Sequence, residues 1–421
     1  MIADRKNLRH VFAVTSGATP ESGNPDYWDG DILWATPEDI SSLDGYWLQD
    51  TRRKITQVGY ESCGTTTAAP GSIVLTKRAP IGQLAVLAEA ACSNQGCFLL
   101  TPRGEADTRF FYYWLYAKVD HLQALGRGST FLELSTDDLK SLSVPFPSVS
   151  QQRAIADYLD RETARLDGLV AAKERVLGLL AERRRALITR AVTRGLDARA
   201  PLRDSGIPWL GDIPVHWRVV ALKHLVRVPL TDGPHETPEF LDSGIPFVSA
   251  EAVWGGRVHL EAIRGFISRD AHDQYSKKYR PEQNDIYIVK SGATTGKVAI
   301  VDIEDEFNIW SPLAAIRCDY KRALPRFVFH TLGSDYFQGQ VQISWSLGTQ
   351  PNIGMEVLEN LSVVLPPVSE QGTIVAHMER EVDKLDALSA ATERTIALLK
   401  ERRAAVIAAA VTGQLQIPEA A

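Results

Sequence analysis

Cysteine is scarce in this chain of 421 residues: Cys63, Cys92, Cys97 and Cys318 form no CxxC pair and no even framework. That argues against structural zinc and disulfides and fits a reducing cytoplasm. No apolar run reaches the roughly 18 residues of a membrane span. The N-terminal MIADRKNLRH lacks the apolar stretch of a signal peptide. Positive charge is not in excess, with 46 Lys and Arg against 52 Asp and Glu. The balance does not announce a nucleic-acid binder, although local patches, not net charge, set the field at a groove.

Catalytic signatures are missing too. The nine histidines include no HExxH and no pair at metal-ligand spacing. His235 and His330 read as loop and core residues. There is no GxSxG, no GxGxxG after a strand and no Asn/Asp-Pro-Pro-aromatic motif of an amino-methyltransferase. Ser291–Lys297 (SGATTGK) resembles a phosphate loop but places three residues, not four, between Gly292 and Gly296, with Val298 where a hydroxyl belongs. Asp138-Leu-Lys140 has a nuclease-like D-x-K shape with no evident carboxylate partner. These absences point to recognition or scaffolding, not bond-making.

What the chain does have is a duplication. Residues 147–196 return as 366–415: Ile155 recurs as Ile374, Asp167 as Asp386 and Leu180 as Leu399, at a constant offset of 219. Such a period exceeds the 20–50 residues of solenoid units. Four segments follow: 1–146, a mixed α/β domain; 147–199, helical; 200–365, a second α/β domain; and 366–421, helical. Gly71–Lys77 predicts a buried strand matched by Asn284–Lys290. Phe110–Tyr116 predicts a buried helix, capped by Asp107 or Thr108 and matched by Arg326–Leu332. Trp28, Trp47, Trp254 and Trp310 read as core or interface anchors.

Proline pairs (Pro145 and Pro147; Pro366 and Pro367) end each α/β segment, and Ser150 and Ser369 sit where N-caps belong. Each helix then runs about 45 residues, or about 65 Å. A 3-4 register threads Leu159, Thr163, Leu166, Val170, Lys173, Leu177, Leu180, Arg184, Leu187 and Ala191. The second helix repeats it with Met378, Val382, Leu385, Ser389, Thr392, Ile396, Leu399, Arg403, Val406 and Ala410. Arg184 and Arg403 interrupt both seams at one level; either they snorkel away or they lock the register. Arg183, Arg184 and Arg185 read mainly as a solvated face. Such a helix cannot bury its stripe alone, and its own duplicate is the nearest partner. The predicted fold is α+β: two similar α/β domains separated by two long helices packed as an antiparallel intramolecular coiled coil, with pseudo-two-fold symmetry.

Several motifs then carry a resemblance. Pro-x-Val-Ser-x-Gln occurs at Pro147–Gln152 and Pro366–Gln371. The helix ends Arg190–Leu196 and Ala409–Leu415 share Ala-Val-Thr. Ser205–Trp217, Asp232-Gly-Pro-His235 and the Gly348–Asn352 loop follow in order. Together they resemble the specificity (S, HsdS) subunit of type I restriction-modification systems over nearly the whole chain. One departure is that Ser205–Trp217 has no counterpart before Leu8. The resemblance implies a non-catalytic, DNA-binding protein in which each domain reads one half of a bipartite, asymmetric target in double-stranded DNA. The helices would set the spacer and dock two methyltransferase (M) subunits, which restriction (R) subunits join. S-adenosylmethionine, ATP and Mg²⁺ would then belong to those partners, and no cofactor and no membrane to this chain.

Phosphate contacts call for Lys and Arg, and base reading calls for forked or amide side chains in the major groove. In the first domain the candidates are Lys77, Arg78, Arg127, Ser129 and Thr130. In the second they are His235, Lys290, Ser291, Thr294, Thr295, Lys297, Thr349, Gln350 and Asn352. Arg127 has the fork for guanine, and Gln350 or Asn352 the amide for adenine. For each the plain alternative is a solvated loop. One function class also stays open: a coiled-coil adaptor displaying two protein-binding domains.

Overall fold

The computed structural model describes residues 4–43, 45–128, 132–345 and 351–418. Contacts group the chain into two compact units, residues 1–174 with 393–421 and residues 175–392. Each long helix contributes one part to each unit.

The first unit contains β1 (Arg5–Asn7), α1 (Leu8–Val11), β2 (Phe12–Ser16), β3 (Trp28–Ala35), α2 (Pro37–Ser41), β4 (Trp47–Leu48), β5 (Lys54–Ile55), α3 (Gln57–Glu61) and β6 (Ile73–Thr76). It continues through β7 (Leu84–Leu87), β8 (Ala91–Ser93), β9 (Cys97–Pro102), α4 (Thr108–Tyr116), α5 (Val119–Ala124), α6 (Thr136–Ser141) and β10 (Ser143–Pro145), and then enters α7 (Val149–Arg194). Its main sheet has the order β2-β9-β6-β7-β4. β6, buried at every residue, is covered on both faces. Ile73 and Leu75 join one core with α4 and the long helices, and Val74 joins another with Ala85 and Leu99, as the two-residue strand period requires. Helix α4 forms where expected. Asp107 is its N-cap, accepting from the amides of Arg109 and Phe110, and its run from Phe110 to Leu115 is buried, as befits a helix apolar all round.

The second unit takes up the end of α7 and then has β11 (Leu202–Asp204), β12 (Asp212–Pro214), β13 (Arg218–Ala221), β14 (Thr231–Asp232), β15 (Ile245–Val248), β16 (Val253–Trp254), β17 (Arg257–Val258), β18 (Phe266–Ile267) and α8 (Arg269–Ser276). It goes on through β19 (Ile286–Val289), β20 (Val298–Ile300), β21 (Asn308–Ile309), β22 (Leu313–Ile316), α9 (Pro325–Leu332), α10 (Asp335–Ile343), α11 (Met355–Asn360), β23 (Ser362–Leu365) and α12 (Val368–Val411). The sheet order β14-β22-β19-β20-β17-β16 repeats that of the first unit with one added edge strand. In both units the central strand pairs antiparallel on both sides, and the strand beyond joins in parallel. Ile286 and Ile288 face one core, Tyr287 and Val289 the other.

Within each unit the long helices run antiparallel. In the first, Arg403 Nε lies 2.9 Å from Asp167, Lys400 Nζ 3.8 Å from Glu174, and the Gln151 amide donates to the Ile417 carbonyl. In the second, Arg184 Nε donates to Asp386 at 3.1 Å, and Trp217 bridges the helix ends, stacked under Gly195 and donating to Glu370. The seam arginines therefore do not simply snorkel away: each reaches across to the other helix. Arg403 also lies against the Tyr116 ring. The remaining seam residues are buried or half-buried. The helix starts need a correction. α7 begins at Val149, with the Ser148 hydroxyl accepting from the Gln151 amide, and α12 begins at Val368. Ser150 and Ser369 thus lie inside the first turns and are not the caps. Among the tryptophans, Trp28 is buried, while Trp47 and Trp254 are 44% and 48% exposed and are not core residues.

Candidate nucleic-acid interface

Both units carry a glutamine clamp between the long helix and the α/β domain. Gln152 and Gln371 have no exposed surface. Gln152 Oε1 accepts from the Asp107 amide at 2.9 Å, and its Nε2 donates to the Pro147 carbonyl at 2.9 Å. Gln371 Oε1 accepts from the Leu324 amide at 2.7 Å, and its Nε2 donates to the carbonyls of Pro366 and Arg322. A second attachment sits one turn on. Arg109 pairs with Asp107, Asp157 and Asp160, and the Tyr113 hydroxyl donates to Asp160. At the matching places Arg326 and His330 meet Glu379. His330 is held below its ordinary pKa by burial, against the pull of Glu379. These contacts fix how each domain's loops are presented.

In the first unit, β6 delivers Lys77 to a loop edge. The Lys77 carbonyl accepts from the Leu134 amide, and the backbones of Arg127 and Glu133 exchange hydrogen bonds. Lys77 Nζ lies 2.8 Å from Glu133, and Arg78 stands 3.8 Å from the same carboxylate. Arg127 is 77% exposed and pairs with Asp138. Ser135 caps α6, its hydroxyl accepting from the Asp138 amide and donating to the Asp138 carboxylate, which accounts for the D-x-K tripeptide structurally. Ser129 and Thr130 lie outside the described residues. Beside Ala79 and Pro80 opens a cleft of about 890 Å³ lined by Trp34, Arg52, Arg53 and Asn94.

In the second unit, β19 delivers Lys290 to the equivalent edge, and its carbonyl accepts from the Ile353 amide. Its side chain differs sharply from expectation. Lys290 is 7% exposed, with Nζ 2.5 Å from Asp232 Oδ2. Asp232 also takes Lys278 at 2.8 Å and His235 Nε2 at 3.1 Å. Burial raises the Asp232 pKa, but the hydrogen bonds of Lys278 and Lys290 outweigh it and hold the carboxyl below its usual range. His235 Nδ1 meets the Ser311 hydroxyl at 3.0 Å, so both ring nitrogens have partners within the protein. Gly233 must be glycine: a Cβ there would stand 2.2 Å from the Ile309 carbonyl oxygen.

Ser291–Lys297 joins two antiparallel strands, not a strand to a helix, which removes the phosphate-loop geometry. Gly292 and Gly296 take φ of 98° and 91° in that turn. Ser291 bridges to Asn352, and Thr295 donates to the carbonyls of Gly292 and Pro351. Thr294 is half-buried, its carbonyl accepting from the Lys297 amide. Thr295 and Lys297 line a cleft of about 590 Å³ with Arg184 and His330. Lys297 is exposed. Thr349 and Gln350 lie outside the described residues.

The structure thus gathers Ser291, Thr294, Thr295, Lys297 and Asn352 into one loop cluster, and Lys77, Arg78 and Arg127 into another. Sequence reasoning missed Glu133, Asp232 and Lys278. Only Asp232 carried a signal, lying in the quoted Asp232–His235 stretch.

Among known proteins, a family model described as a type I restriction modification DNA specificity domain matches residues 4–175 and again 214–400. The specificity subunit of the MjaIX type I restriction enzyme of Methanocaldococcus jannaschii is 26% identical over 423 residues, 99% of this chain and 94% of its own length. The EcoBI specificity subunit of Escherichia coli is 26% identical over 338 residues, 78% of this chain and 70% of its own. The crystal structure of the HsdS subunit from Thermoanaerobacter tengcongensis superposes with a TM-score of 0.56 at 18% identity, covering 98% of this chain and 97% of that one. A chain from a structure on complex assembly and conformational transition of the type I R-M system reaches a TM-score of 0.68 at 19% identity, covering 98% of each. At these identities the structural likeness speaks for the fold.

Proposed function

Because the chain belongs to the type I restriction-modification DNA specificity family, we propose that it is the recognition subunit of such a complex, each unit reading one half of a bipartite target. The carrying observation is that the family match falls twice, once on each copy of the duplicated domain. One domain type used twice in a chain suits a target of two unlike halves. The loop edges after β6 and β19 supply the chemistry: exposed cations for phosphates, and hydroxyl and amide groups for base edges. Their surroundings differ, as reading two different half-sites requires.

In this reading the chain does no bond-making. Two M subunits supply methyl transfer with S-adenosylmethionine, and R subunits supply ATP- and Mg²⁺-dependent work. The helical segments set the gap between half-sites, and the complex acts in the cytoplasm. No described helix is long and apolar enough to cross a membrane. Family membership does not favour the adaptor reading.

Methylome sequencing of the host with and without this gene tests the proposal. The expected result is loss of methylation at one motif made of two specific halves and a fixed non-specific gap. An unchanged methylome, together with no duplex affinity of the chain combined with its M subunits, would overturn it. Lengthening the helix between Ser150 and Gly195 by whole turns should change the gap and leave both halves as they were.

A further inference from the structure

Asp232 draws together four separate pieces of the second unit. β14 supplies the carboxylate, the following loop His235, the segment after α8 Lys278, and the end of β19 Lys290. Oδ1 takes Lys278, while Oδ2 takes Lys290 and His235. The side chains of Asp232 and Lys290 are 10% and 9% exposed, whereas Lys278 is 56% exposed. One carboxylate faces two ammonium groups, so the cluster keeps a positive charge even with His235 neutral. The inner pair cancels within the protein, which leaves the excess on Lys278 at the surface. An ammonium has three N–H donors. One is committed to Asp232, which leaves two for an acceptor outside the protein.

The first unit is built otherwise at this place. Ser16 occupies the strand position of Asp232, judged from the shared pairing of β2 with β9 and β14 with β22. The segment after α3, which matches the segment after α8, is Ser-Cys-Gly-Thr and holds no cation. The cluster is therefore a property of the second reading domain alone, where it can act on one half-site only.

We propose that Asp232 is a positioning residue for DNA recognition by the second unit, holding Lys278 as a phosphate contact while Lys290 serves as its buried counter-ion. This inference rests on the DNA-recognition reading above and deepens it. It reverses the simplest view of the sequence, in which the lysine at the strand end touches DNA. Lys290 acts through Asp232. His235 is a third partner of the carboxylate and ties it to Ser311. A fixed ammonium meets a phosphate without first losing the freedom of a long side chain, and preorganisation of that kind favours binding.

The test is duplex binding by the chain with its M subunits, measured across a salt series. Each phosphate contact contributes about 0.9 to the slope of log K against log salt. Lys278→Gln should make the slope shallower by about one contact and weaken binding evenly across sequences. The double variant Asp232→Asn with Lys290→Met removes both buried charges together. It should keep the melting temperature near that of the parent and show the same slope loss. Adding Lys278→Gln to it should change nothing more. A slope indifferent to Lys278→Gln, or a double variant that is folded with an unaltered slope, overturns the proposal. If the double variant does not fold, the slope with Lys278→Gln alone decides. Failure of the parent complex to bind any duplex would instead overturn the DNA-recognition reading itself, a result distinguishable from binding that ignores Lys278.

Discussion

The two units place a lysine at the end of the same strand and neutralise it in different ways. In both, the lysine carbonyl accepts from a matching amide, Leu134 in one and Ile353 in the other. Lys77 then meets Glu133, a carboxylate 41% exposed on a neighbouring loop, whereas Lys290 meets Asp232, 10% exposed on a strand. Backbone geometry has been kept through the duplication while the electrostatic surroundings diverged. The first site is an ion pair whose carboxylate is open to water while its lysine is half-buried. The second is a buried one that organises its neighbours.

The largest expected contrast follows from that difference. Breaking a buried pair from one side costs about 3–5 kcal/mol when the remaining charge has no other partner; Asp232 keeps Lys278 and His235, so Lys290→Met should destabilise the second unit by the lower end of that range. Lys77→Met leaves a carboxylate open to water and should cost under about 1 kcal/mol. Urea unfolding of the two variants measures this, and equal losses would erase the distinction.

Next come the glutamine clamps, where the units should behave alike. Gln152→Ala and Gln371→Ala each strand buried backbone groups, for a loss of about 1–3 kcal/mol apiece. A large inequality would show that only one clamp carries load.

A pH scan should then separate the units at a single matched position. The folded pKa of His330 lies below its ordinary value near 6.5 because of burial, despite Glu379. The contribution is fully present above the unfolded pKa and is lost as pH falls toward the folded one. The second unit should therefore melt at lower temperature as pH drops below about 6.5. At the matching place the Tyr113 phenol is pushed up by burial and by Asp160, so it stays protonated throughout that range. His330→Gln should flatten the pH dependence of the melting temperature; an unaltered dependence would place the responsible group elsewhere.

The smallest effects belong to the seam. Arg184→Ala and Arg403→Ala each remove a partly exposed interhelical pair worth about 0.2–1 kcal/mol. The second should cost more, because Arg403 also covers Tyr116 and is 25% exposed against 44% for Arg184.

Much of the fold was legible in the sequence. The strands around Val74 and Tyr287 and the helix Phe110–Leu115 announced themselves by apolar runs between turn and capping residues, and the seams by their 3-4 spacing. The caps were misread because serine is favourable both at the cap and in the first turn, and helix ends shift by a residue or two. The site was legible only in part. The equivalence of Lys77 and Lys290 followed from the repeat. Their partners did not: Asp232 is 58 residues from Lys290 and meets it only through sheet pairing. Lys278 is one basic residue among 46, and its position gives no sign that a carboxylate will hold it.

Exchange of one domain is the most direct test of the claim that each unit reads its own half-site. Residues 200–365 would be replaced by the corresponding domain of a relative with a different target, and the methylated motif read from the genome. The account predicts a hybrid motif in which one half is new and the other is unchanged. A motif altered in both halves, or in neither, would contradict it.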